Sequence, residues 1–195
     1  KLVSDKLFVA ANQYKGSRDL SFSVVRYGNV MGSRGSVVPF FINKRHEGEL
    51  PITDPRMTRF NISLKEGVEM ILWALENSKG GEIFVPKIPS YLITDLAKAI
   101  SPSAKLVNVG IRPGEKIHEE MITVSDSLNT VDLGIYYAIL ATSGKYSVEH
   151  YCKEFNAKPL GDGFSYNSGT NPDFLSVDQL RRLIKDEFDS NFEPI

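Results

Sequence analysis

Three arginines stand where a strand edge or a turn would hold their side chains out to a ligand. Arg34 lies in Gly32-Ser33-Arg34-Gly35, Arg59 follows Met57-Thr58 and precedes Phe60, and Arg112 opens Arg112-Pro113-Gly114-Glu115-Lys116. A guanidinium offers paired donors in a planar fork that matches phosphate oxygens, so three brought together would suit a diphosphate. Taken alone, each also fits a surface arginine paired with a carboxylate. Other chemistries find no support in the pattern. His46, His118 and His150 are widely scattered, no paired-cysteine spacing occurs, and no Gly-x-Ser-x-Gly turn marks a nucleophile. No Gly-x-Gly-x-x-Gly joins a strand to a helix, so the chain has no dinucleotide-pyrophosphate cradle of its own.

The bulk composition leaves room for a local anion site and nothing broader. In 195 residues, 23 Lys and Arg balance 24 Asp and Glu for a formal net charge of -1, which gives no surplus for a nucleic-acid backbone. Hydrophobic residues make up 42% and charged residues 24%, an ordinary globular balance for one large domain or two small ones. No run of about 18 apolar residues suggests a membrane span, and no signal peptide opens the chain. The single Cys152 cannot form an internal disulfide, so the expected setting is reducing and cytoplasmic.

Elements that alternate helix and strand must position these groups. Lys1 is not an initiator methionine, and Val3, Leu7, Phe8, Ala10 and Ala11 share a helical face with no capping residue ahead of them. The chain is therefore expected to open inside a helix, which ends near Gly16. Leu20 to Val30 reads as a strand, Gly28 to Gly35 as a glycine-rich loop, and Ser36 as a cap for a helix from Val37 to about Arg45. Ser63-Leu64-Lys65-Glu66 is a capping box ahead of a helix over Leu64 to Asn77, with Leu64, Val68, Ile71, Leu72 and Leu75 as its apolar stripe. Glu82 to Val85 and Leu106 to Ile111 read as strands. Thr94 is expected to cap a helix through Ile100, and Glu115 to Met121 to form another. Strand is favoured between Thr123 and Thr142, loop from Gly161 to Pro172, and Ser176 to Gln179 is a second capping box opening a C-terminal helix.

The segments Ser23 to Phe40, Ile52-Thr53-Asp54, Met57-Thr58-Arg59-Phe60 and Arg112-Pro113-Gly114-Glu115-Lys116 together resemble the extended short-chain dehydrogenase/reductases. Within these the chain looks most like the inverting UDP-N-acetylglucosamine 4,6-dehydratases that start pseudaminic acid synthesis. The match runs from Lys1 to about Met121 and thins beyond it.

The resemblance implies an α/β fold. It would be a Rossmann-like three-layer domain, lacking its first strands, with a smaller mixed α/β substrate lobe. Residues 1–50 would belong to the Rossmann-like part, and 51–195 to the lobe with interleaved Rossmann elements. It further implies NADP as cofactor, a UDP-sugar as substrate, and a homo-oligomer in which the helix carrying Lys1 packs on its copy. Lys1 would be the lysine of a Tyr-x-x-x-Lys pair, binding the nicotinamide ribose and lowering the pKa of a tyrosine four residues upstream. Val30 would sit against the nicotinamide, and Asn29 and Arg34 would touch the substrate. Val37 and Thr53 would line the uridine-diphosphate pocket, Arg59 and Arg112 grip the diphosphate, and Glu115 accept hydrogen bonds from the ribose. Asn171 is added from the weakly matched tail.

The implied reaction oxidises C4 of the hexose, eliminates water across C5 and C6, and returns hydride to C6 with inversion at C5. A retaining dehydratase or a 4-epimerase would keep the same arginines, and a non-catalytic nucleotide-sugar-binding module would fit the missing cradle.

Overall fold

The computed structural model describes residues 2–142 and 146–195. In chain order the elements are α1 (Leu2–Tyr14), β1 (Val24–Val25), β2 (Asn29–Val30), α2 (Val37–Lys44), β3 (Glu49–Ile52), β4 (Thr58–Ile62), α3 (Leu64–Asn77), β5 (Ile83–Pro86) and β6 (Ser90–Leu92). They continue with α4 (Ile93–Ile100), β7 (Lys105–Asn108), β8 (Glu120–Ile122), β9 (Thr130–Asp132), β10 (Tyr136–Ile139), α5 (Val148–Phe155), β11 (Lys158–Pro159), β12 (Tyr166–Asn167) and α6 (Val177–Glu187). The described residues form two compact units, each assembled from three stretches of chain.

The first unit takes the residues up to Tyr27, Val68–Lys87 and the described part of Met121–Tyr166. Its sheet has the order β1-β5-β10-β9-β11, with β1 and β5 parallel and the remaining pairs antiparallel. Met70 and Ala74 of α3 and Tyr151 of α5 join Phe84, Val131, Ala138 and Leu140 in its core. Trp73 adds an edge-on contact to the Phe84 ring at 5.2 Å. Two side chains tie α1 to this sheet. Asn12 donates to the Phe22 carbonyl at 2.8 Å and accepts from the Phe22 N–H at 2.9 Å, and Asp5 accepts from Arg26 at 2.8 Å.

The second unit takes Gly28–Gly67, Ile88–Glu120 and Asn167–Ile195. Here β4 pairs in parallel with β2 and antiparallel with β6, while β3 and β7 form a separate parallel pair. α2, α4 and α6 supply Val38, Phe41, Leu96, Ile100, Leu180 and Ile184 to one apolar cluster that also holds Leu50, Ile52, Met57 and Tyr91.

Several expectations are met and several corrected. The Ser63 box closes as read, with the Glu66 N–H donating to Ser63 Oγ at 3.1 Å and the Ser63 N–H to the Glu66 carboxylate at 2.8 Å. The Ser176 box closes in the same way on Gln179. The apolar stripe of α3 is not its buried face, however. Leu64, Val68, Ile71, Leu72 and Leu75 are exposed, and the core takes Met70 and Ala74 from a different side of the helix. The single strand expected over Leu20 to Val30 is two short strands divided at Gly28, which belong to different sheets. Ser36 and Thr94 do not cap with their side chains: Ser36 occupies the cap position without a side-chain bond, and Thr94 lies inside a helix capped by Leu92. No helix forms over Glu115 to Met121. Ser168 takes both backbone groups of Glu119, its N–H donating to the Glu119 carbonyl and its Oγ accepting the Glu119 N–H, each at 2.8 Å, and β8 follows. α5, capped by Ser147, was not expected.

Candidate functional site

The second unit holds a cleft of about 610 Å³. Four stretches line it: β2 and the loop into α2, the end of β3, β4 with Tyr91 and Ile93 behind it, and the loop after β7. Strand alternation decides what β4 contributes. Phe60 and Ile62 are buried in the unit, whereas Arg59 and Asn61, which alternate with them, line the cleft. β2 lies beside β4 with Asn29 opposite Asn61. That close pairing requires Gly28, because a Cβ there would stand 2.5 Å from the Phe60 Cβ.

After β2 the chain makes two successive turns, closed by bonds from the Ser33 N–H to the Val30 carbonyl and from the Ser36 N–H to the Ser33 carbonyl. They deliver the N-terminus of α2 to the cleft, so that Val37 and Val38 are among its walls. Ser36 Oγ is buried there with no hydrogen-bond partner among the described residues. Thr53 follows β3 into the wall and is half-buried. Behind it Asp54 accepts from the Arg56 backbone N–H at 2.8 Å and from its guanidinium at 2.8 and 2.9 Å. This hydrogen bonding holds the Asp54 carboxyl down at about 2, so the turn that leads into β4 is clamped by an ionised carboxylate.

The two cleft arginines are held differently. Arg59 is mostly buried and gives one Nη to the carbonyls of Thr58 and Ile117 at 2.7 and 3.0 Å, while Glu115 and Glu119 stand 3.8 Å from its other nitrogens. It is preorganised. Arg112 is exposed and its side chain makes no hydrogen bond among the described residues. Its backbone is fixed instead: the Glu115 N–H donates to the Arg112 carbonyl at 3.0 Å, the Arg112 N–H approaches the Glu115 carboxylate at 3.3 Å, and Gly114 takes φ +81 after Pro113. Proline then a left-handed glycine is the pattern of a type II turn, and it brings Arg112 and Glu115 to the same wall.

Asn29, Val30, Val37, Thr53, Arg59, Arg112 and Glu115 are thus brought together. Arg34 is exposed and stands outside the lining. Asn171 is elsewhere too, buried and donating to Ile88 O, Ser90 Oγ and Asp173 O, where it braces the entry to β6. Lys1 lies outside the described residues. Two lining residues were missed from sequence, Asn61 and Tyr91, and so was Glu119, which touches Asn29 without lining the cleft. Asn61 was legible two positions beyond Arg59 in a strand. Tyr91 is buried behind the cleft, and that burial pushes its hydroxyl well above the ordinary tyrosine range, so it stays neutral. Glu119 was hidden by the expected helix. Among the described residues no three His, Cys, Asp or Glu side chains form a metal site, and no helix is long and apolar enough to cross a membrane.

A family model described as polysaccharide biosynthesis protein matches residues 1–141. The chain belongs to this polysaccharide biosynthesis family. Among curated relatives, the inverting UDP-N-acetylglucosamine 4,6-dehydratase of Campylobacter jejuni is 51% identical over 193 residues, covering 94% of this chain and 57% of the relative. The UDP-glucose 4-epimerase of Rickettsia canadensis is 37% identical over 191 residues, covering 94% and 55%. Of solved structures, Pen from Bacillus thuringiensis superposes with a TM-score of 0.81 at 34% identity, over 94% of this chain and 56% of that one. The chain therefore spans a little over half the length of these relatives, and it shares with Pen the α/β fold expected from its sequence.

Proposed function

We propose that this chain is the substrate-binding part of an NADP-dependent, inverting UDP-N-acetylglucosamine 4,6-dehydratase acting at the start of pseudaminic acid synthesis. The observation that carries the reading is the convergence, on one cleft, of Asn29, Thr53, Arg59, Arg112 and Glu115 from segments far apart in sequence. The half-identical Campylobacter jejuni dehydratase supports the choice of substrate and reaction.

In this reading the diphosphate lies between Arg59 and Arg112, close to the N-terminus of α2. There the first helical amides and the unpartnered Ser36 hydroxyl add donors of the kind an anion takes. Arg59 is already fixed and costs little to order. Arg112 is free to close on the ligand. Glu115 faces a ribose hydroxyl, and Val37 and Thr53 border the nucleotide. Asn29 sits at the sugar end, beside Val30. Holding the remote nucleotide in this way orients the hexose for each step at C4, C5 and C6. Arg34 would reach the ligand only as an outer contact, and Asn171 supports the fold.

NADP, when bound, supplies the redox chemistry at C4. Of the residues described, Val30 fits it: an apolar side chain on the cleft wall suits the face of a nicotinamide. The chain has no glycine-rich pyrophosphate cradle, so the greater part of that site is assigned to regions of the protein beyond this stretch. Lys1 is assigned to the nicotinamide ribose. A cytoplasmic homo-oligomer completes the proposal. The alternative of a 4-epimerase draws on the Rickettsia relatives and would use the same cleft.

Calorimetric titration of UDP into the full-length protein tests the cleft. Arg112→Ala removes a charge-assisted contact worth about 1.5 to 3 kcal/mol, so UDP affinity should fall roughly ten- to hundredfold while the melting temperature barely moves. An arginine that only braces its turn would give the reverse.

A further inference from the structure

Glu119 does not line the cleft, yet it touches the residues that do. Its carboxylate accepts the Phe60 backbone N–H at 2.9 Å, approaches Asn29 Nδ2 at 3.1 and 3.2 Å through its two oxygens, and stands 3.8 Å from Arg59 Nε. Its own backbone is pinned at both ends by Ser168, whose hydroxyl lies 2.7 Å from Thr58 Oγ1. A carboxylate only accepts hydrogen bonds, so the Asn29 amide can face it through its NH2 end alone. The orientation of that amide is therefore fixed by chemistry. Asn29 Nδ2 has a further contact, at 3.4 Å to the Phe60 carbonyl. Its Oδ1 has no partner among the described residues and is the atom left for a ligand.

We propose that Glu119 is a positioning residue of this site: it turns Asn29 so that the cleft presents a hydrogen-bond acceptor, and it steadies Arg59 beside it. The ligand group that meets Asn29 is accordingly a donor, a hydroxyl or an N–H, and a bare carbonyl or phosphate oxygen is rejected there. This rests on the nucleotide-sugar reading of the cleft, in which Asn29 faces the sugar, whose hydroxyl and acetamido groups carry such donors.

An exchange of the amide and the carboxylate tests it in the full-length protein with UDP-N-acetylglucosamine. Asn29→Asp places two carboxylates in contact and should lower kcat/KM by about tenfold or more. Glu119→Gln alone should cost less, because the glutamine oxygen still accepts the Phe60 N–H. Combining the two restores one amide and one carboxylate in reversed order, with the carboxylate now at position 29 offering an acceptor to the cleft. The pair should return kcat/KM to within about threefold of Glu119→Gln alone. A double variant no better than Asn29→Asp overturns the proposal, as does an Asn29→Asp protein of undiminished kcat/KM. Recovery of the melting temperature without recovery of kcat/KM also overturns it, since Glu119 would then serve only the fold. If the exchange restores turnover while Arg112→Ala leaves UDP affinity unchanged, the diphosphate assignment falls and that of Glu119 stands.

Discussion

Asp54, next in sequence to the cleft residue Thr53, holds the turn between β3 and β4 through its carboxylate. That group takes three donors from Arg56, one from the backbone N–H and two from the guanidinium, and so closes the turn. Because its folded pKa of about 2 is below the ordinary value of roughly 3.9, its contribution is complete above about pH 4 and is lost as the pH falls toward 2. Wild type should therefore melt higher than Asp54→Asn at pH 6, and the two melting curves should draw together on acidification. A gap that stays constant down to pH 2 would mean that the carboxylate is not what holds the turn. From sequence, Asp54 was visible only as part of a family motif. Its role depends on Arg56 folding back two residues, which no periodicity announces.

Local rules succeeded where local interactions decide the structure. Both capping boxes close as read, because each needs only a serine and a Glu or Gln three positions on. Ser63→Ala should accordingly cost about 1 kcal/mol, measured by denaturant unfolding, and a change within error would show that α3 is held by packing alone. The same rules failed where tertiary partners decide. α3 carries two apolar faces, Leu64 to Leu75 on one and Met70 with Ala74 on the other, and hydrophobicity cannot rank them; only the position of Phe84 and Val131 does. Likewise Leu20 to Val30 looks continuous until Gly28 meets Phe60 from β4. The Arg112 turn was legible because Pro113 and Gly114 encode it locally. The Asn29, Arg59 and Glu119 cluster was only half legible, since its carboxylate is set by Ser168, 49 residues further on.

Across the whole molecule, α1 leaves Val3, Leu7 and Phe8 exposed, while Asn12 and Asp5 tie the helix to the first unit. Large apolar side chains held out on a fixed helix fit a subunit contact. Sedimentation should show the full-length protein as a homo-oligomer, and Leu7→Glu with Phe8→Glu should shift it toward monomer; a monomeric wild type would exclude the contact. Which reaction the cleft serves is decided by proton NMR of the full-length protein incubated with NADP and UDP-N-acetylglucosamine. The product expected is a UDP-linked 4-keto-6-deoxy sugar with the configuration at C5 inverted. A sugar altered only at C4 would contradict the dehydratase assignment in favour of an epimerase, retained C5 configuration would point to the retaining reaction, and recovery of unchanged substrate would leave the cleft a binding site alone.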